Sequence, residues 1–62
     1  MCDVHAFISR NGREERILEN VDRIETEKDR IIINSIFGEQ KNLAATFKYF
    51  DSGRGKIVFE PV

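Results

Sequence analysis

Ile31-Ile32-Ile33-Asn34-Ser35-Ile36-Phe37 is the stretch that decides the fold class. Its consecutive β-branched side chains are stiff at χ1, which disfavours a helix and suits an extended chain. Apolar groups fall on both faces of this strand, whereas a strand in a small antiparallel sheet normally wets one face. Ile32 or Ile36 therefore needs cover, from a barrel wall or from a second copy of the chain.

Outward from that strand the hydrophobic period is two rather than 3.6. Val4, Ala6 and Ile8 alternate with Asp3, His5 and Phe7, which predicts a strand over residues 3–8 opened by Cys2. Arg10-Asn11-Gly12-Arg13 ends it, because Asn-Gly supplies the positive φ angles of a tight hairpin. Further strands are predicted over 14–18 and 21–26, with the chain reversing at Glu27-Lys28-Asp29. Gly38 ends the isoleucine strand, a long strand follows over 43–51, and Ser52-Gly53-Arg54-Gly55 turns into a last strand over 56–60 that Pro61 closes. Five or six short strands at such close spacing predict one all-β domain over residues 1–62. The economical way to hide its edges is a small antiparallel SH3-like or Sm-like half-open barrel. A flat meander that dimerises through one face is the alternative.

Ten Lys/Arg stand against eleven Asp/Glu for a net charge of −1, and the signs are interleaved. General polyanion binding asks for a basic excess gathered on one face, so RNA is disfavoured as a partner. No apolar stretch is long enough to cross a membrane, and the start lacks a signal peptide's basic and apolar regions. A cytoplasmic protein is expected, in keeping with a single free thiol. Ser9, Ser35 and Ser52 have no nucleophile-elbow context, one histidine is the sole candidate base, and Gly53 and Gly55 belong to a turn rather than a phosphate loop. An enzyme is not expected.

The chemistry concentrates at the start of the chain. Cys2, the single cysteine, follows Met1. Its thiolate, the Met1 amine and the intervening amide nitrogen can close adjacent chelate rings around a soft or borderline ion such as Ni(II) or Cu(II). If Met1 is removed, the Cys2 amine and thiolate can chelate together with the Asp3 backbone amide. The alternative is that Cys2 is a small buried apolar residue, although a chain end is a poor place to bury one. His5 lies about 10 Å along an extended strand from Cys2 and points to the opposite face. It could join the metal only across a dimer and is otherwise a structural residue.

Four segments carry a family resemblance: Met1-Cys2, Val21-Asp22-Arg23-Ile24-Glu25, Ile36-Phe37-Gly38-Glu39 and Lys56-Ile57-Val58-Phe59-Glu60. Across its length the chain resembles the CooT-type small proteins, also labelled predicted RNA-binding proteins. The resemblance implies a homodimer of SH3-like or Sm-like β-fold that handles nickel in carbon monoxide dehydrogenase maturation, as a metallochaperone or sensor. It also implies that the cysteine after the initiator methionine, here Cys2, is the nickel ligand. The RNA alternative rests on aromatic faces beside cations, at Lys48, Tyr49, Arg54 and Lys56. A partner-binding adaptor without metal is the third class.

Overall fold

Asn11 and Gly12 adopt φ angles of 51° and 79°, the positive values that let a two-residue turn match the twist of its strands. They join β1 (His5–Arg10) to β2 (Arg13–Leu18) as an antiparallel hairpin in which Arg10 faces Arg13. The computed structural model describes residues 3–62, and every regular element among them is a strand. After β2 come β3 (Val21–Glu27), β4 (Arg30–Ser35), β5 (Gln40–Leu43), β6 (Ala45–Asp51) and β7 (Lys56–Pro61). Among these residues no helix is long and apolar enough to cross a membrane.

The all-β fold expected from the sequence is the fold observed, with two corrections of architecture. Seven strands form two sheets, ordered β2-β1-β7-β6 and β3-β4-β5, where five or six strands in one half-open barrel are expected from the sequence. The pairing is also not wholly antiparallel, because β7 returns to the middle of its sheet and runs parallel to β1, with His5 opposite Lys56 and Ile8 opposite Phe59. Alternation within a strand carries no information about this pairing.

Boundaries shift for local reasons. The strand expected over 43–51 is two strands: Leu43 pairs with Ile31 in one sheet, whereas Ala45 pairs with Pro61 in the other. The crossing falls at Ala44, whose carbonyl accepts the Val62 N–H at 3.1 Å. Pro61 therefore does not end the pairing. The β1 register stops at Phe59, so the missing N–H of Pro61 faces no strand on that side. β4 ends at Ser35 instead of running to Phe37, because the Ser35 hydroxyl accepts the N–H groups of Phe37 and Glu39 at 3.1 and 3.2 Å and folds the chain into a turn. Gly38 completes that turn at φ 86°.

The core lies between the sheets. Ala6, Ile8, Leu18, Val21, Ile31, Ile33, Ala45 and Phe59 form one buried cluster, with Ile17, Ile24, Leu43 and Ile57 packed against it. Ile31 and Ile33 thus point inward while Ile32 is half-buried on the outer face, and Ile36 and Phe37 are exposed in the turn after β4. Val58 is equally buried but stands on the outer face of the four-stranded sheet, flanked in register by Phe7 and Tyr49.

Candidate metal centre

Parallel pairing of β1 with β7 sets the residues just before β1 beside the turn just before β7. The His5 N–H donates to the Gly55 carbonyl at 2.7 Å, and on the other side the Val21 N–H donates to the Val4 carbonyl at 2.8 Å. The Asn20 N–H donates to His5 Nδ1 at 3.1 Å, with Asn20 at a φ of 53°. Asp3 and Val4 precede the strand rather than belonging to it, a correction to the strand expected from residue 3. The backbone is therefore tied from both sides at Val4 and His5, while Asp3 is exposed. Met1 and Cys2, the residues expected to supply the amine and the thiolate, lie outside the described residues.

Because Nδ1 of His5 accepts a hydrogen bond, the neutral ring carries its proton on Nε2 and offers no free lone pair while that bond persists. In this arrangement His5 ties β1 to the turn between β2 and β3. Among the described residues no three His, Cys, Asp or Glu side chains converge as a ligand set. The Asp3 backbone amide, the other candidate donor, lies at the exposed end of the pinned segment.

The residues of the RNA alternative are drawn into a different arrangement. Tyr49 Oη and Lys56 Nζ both donate to the Glu14 carboxylate, linking β6 and β7 to the edge strand β2 across the outer face of the sheet. Lys56 Nζ also lies 5.0 Å from the centre of the Phe7 ring, a favourable cation–π placement. Lys48 Nζ donates to Ser9 Oγ at 3.2 Å, and the Arg54 guanidinium lies 3.8 Å from Asp51. Two of the three cations are thus matched with carboxylates, and the tyrosine hydroxyl is engaged as well. The Lys56 hydrogen bond, followed by that of Tyr49, lowers the pKa of Glu14. The same carboxylate raises the pKa values of both Lys56 and Tyr49 through its hydrogen bonds to them.

Glu14 is the residue that sequence reading missed. The Asn-Gly turn fixes a register that puts it opposite Ser9, and so on the same outer face as Phe7. The long-range return of β7 was needed to bring Lys56 there. Near the pinned segment, a groove of about 290 Å³ is lined by Val4, Val21, Ile24, Phe50 and Ile57 together with Asp22 and Arg23.

A family model described as CO dehydrogenase accessory protein CooT matches residues 1–60. The chain belongs to the CooT family. That match begins at residue 1 and so includes Met1-Cys2 as well as the strands. A crystal structure assigned as CooT from Carboxydothermus hydrogenoformans is 30% identical to this chain, covers 98% of it and of its own chain, and agrees with a TM-score of 0.88. The two-sheet architecture is therefore shared with a CooT-assigned protein almost end to end. No curated protein matches the chain.

Proposed function

We propose that this CooT-family protein is a nickel-binding accessory protein, a metallochaperone or sensor serving carbon monoxide dehydrogenase maturation, and that it holds Ni(II) through the Cys2 thiolate and adjacent amino-terminal nitrogens. The observation that carries this reading is the family match over residues 1–60, which takes in the Met1-Cys2 start. The donor chemistry fits the ion: a thiolate supplies the soft ligand, and amine and amide nitrogens supply strong-field donors that favour square-planar Ni(II). The fold supports it too, since the backbone at Val4 and His5 is fixed while Asp3 is exposed where an ion can arrive and leave. An accessory protein needs that accessibility more than it needs a closed cage. A reducing cytoplasm keeps the thiol free for the task.

The protein works as a homodimer in this reading. At 62 residues its core is near the lower limit for independent stability. Ile36, Phe37, Phe47 and Phe50 expose half or more of their surface, an apolar surplus of the kind that marks association surfaces. Two-fold symmetry could then bring two Cys2 thiolates around one ion. Titration of metal-free protein with nickel, followed by thiolate charge-transfer absorbance, tests the assignment. The band should grow to saturation for the native chain and be absent from Cys2→Ser. Unchanged nickel affinity in that variant would overturn it.

A further inference from the structure

Gly55 stands where the turn before β7 meets the segment entering β1. A methyl group built on its Cα would sit 2.2 Å from the Asp3 carbonyl oxygen and 3.3 Å from the Asp3 carbonyl carbon. These are backbone atoms, which cannot rotate aside as a side-chain tip can. The φ of Gly55 is +62°, a region that L side chains adopt at a cost. Its own carbonyl meanwhile accepts the His5 N–H at 2.7 Å. The residue thus holds the incoming segment by its oxygen and admits it by lacking a Cβ.

We propose that Gly55 is a positioning residue for the amino-terminal metal donors: its bare Cα lets the Asp3 peptide seat against the turn, fixing the direction in which the chain leaves toward Cys2. The inference rests on the nickel reading above. The peptide unit that carries the Asp3 carbonyl continues directly into the Val4 and His5 anchors, and its neighbour on the other side is the Cys2–Asp3 peptide, whose nitrogen is a candidate donor. A chelate of consecutive backbone and side-chain atoms binds best when its torsions are already set. Displacing the Asp3 carbonyl unseats the anchored segment from which the candidate donors extend. Outer-shell groups that orient ligands are worth about 10–100-fold in metal affinity, and an effect of that size is expected here.

The test compares Gly55→Ala with Gly12→Ala, both probed with nickel ions alone. Gly12 has a φ of +79° and nothing within 4 Å of where a methyl group would stand, so it carries the backbone strain without the collision. Amide hydrogen exchange of the metal-free proteins at Val4 and His5 should quicken in Gly55→Ala and stay native in Gly12→Ala. Nickel affinity should fall about 10–100-fold in the first and hold in the second. If Gly55→Ala does not fold, one glycine inserted after Ser52 in the exposed turn moves the anchor away without a clash and should weaken nickel similarly. Native affinity in whichever folded variant is measured would overturn the positioning role while leaving Cys2 as ligand. Loss of affinity to the same extent in Gly12→Ala would overturn it too, by making backbone strain the cause. Nickel binding that survives Cys2→Ser would instead remove the reading on which the inference rests.

Discussion

Replacing Ile33 and Ile32 in turn by alanine tests the division of faces on which the two-sheet fold depends. Ile33 is fully buried between the sheets, whereas its neighbour Ile32 is half-buried on the outer face. Both changes lose the same β-branched preference for an extended chain, so the difference between them isolates burial. Truncating a buried isoleucine costs about 2–5 kcal/mol, counting the cavity left behind. Removing the partly exposed one forfeits most of an ordinary transfer term, about 1–2 kcal/mol, without leaving an enclosed cavity. A chain of 62 residues has a total stability of about 3–9 kcal/mol at typical per-residue values. At a mid-range loss of about 3 kcal/mol, Ile33→Ala therefore removes about a third of that or more. For a domain this small each kcal/mol moves the melting temperature by about 4–8 °C, so a mid-range loss of about 3 kcal/mol lowers it by roughly 12–24 °C. Thermal unfolding followed by far-ultraviolet circular dichroism reads both variants. Equal losses at the two positions would refute the assignment of faces.

The Glu14 clasp makes stability depend on pH with a definite sign. The folded-state pKa of Glu14 is lowered, chiefly by the Lys56 hydrogen bond, so its contribution is complete above the unfolded value of about 4.3 and is lost as pH falls through the folded value. The native protein should thus melt above Glu14→Gln at neutral pH and converge with it in acid, and an undiminished gap at pH 2 would contradict this. Lys56 has a raised pKa for the same reason, so its contribution holds below about 10.4 and fades as pH rises beyond it. Single-stranded RNA should bind weakly at physiological salt, as read by fluorescence anisotropy. Tight, salt-sensitive binding that disappears when Lys48, Arg54 and Lys56 are replaced would reverse the ranking of functions. Sedimentation of the metal-free protein at micromolar concentration should show a dimer, and a monomer would exclude an ion shared between two chains.

Local features of the fold were legible because local physics sets them. The Asn11-Gly12 hairpin and the strand character of residues 31–35 follow from φ preferences and β-branching, and both are present. Where β4 stops was not legible. Ile36 and Phe37 continue the apolar run, but two hydrogen bonds to the Ser35 hydroxyl turn the chain. The crossing at Ala44 carries neither glycine nor proline to announce it, so a continuous apolar pattern hides a change of sheet. Parallel pairing of β1 with β7 is a contact between the chain's two ends, and hydrophobic alternation is silent on it. That pairing also makes the candidate site's surroundings, since it brings Gly55 to Asp3 and Lys56 to Glu14. The chemistry of Cys2 could be read from its type and its place beside Met1. The supports of the segment behind it, at Gly55 and Asn20–Val21, could not.

Nickel-edge X-ray absorption of the nickel-loaded protein is the decisive experiment for the amino-terminal site, because it reports the atoms bound to the ion. A first shell containing sulfur with nitrogen neighbours is expected, and the sulfur shell should vanish in Cys2→Ser. Bound nickel should also fall as pH drops, since thiol and nitrogen donors must shed protons to ligate. A first shell of nitrogen and oxygen alone in the native protein would contradict thiolate ligation by Cys2.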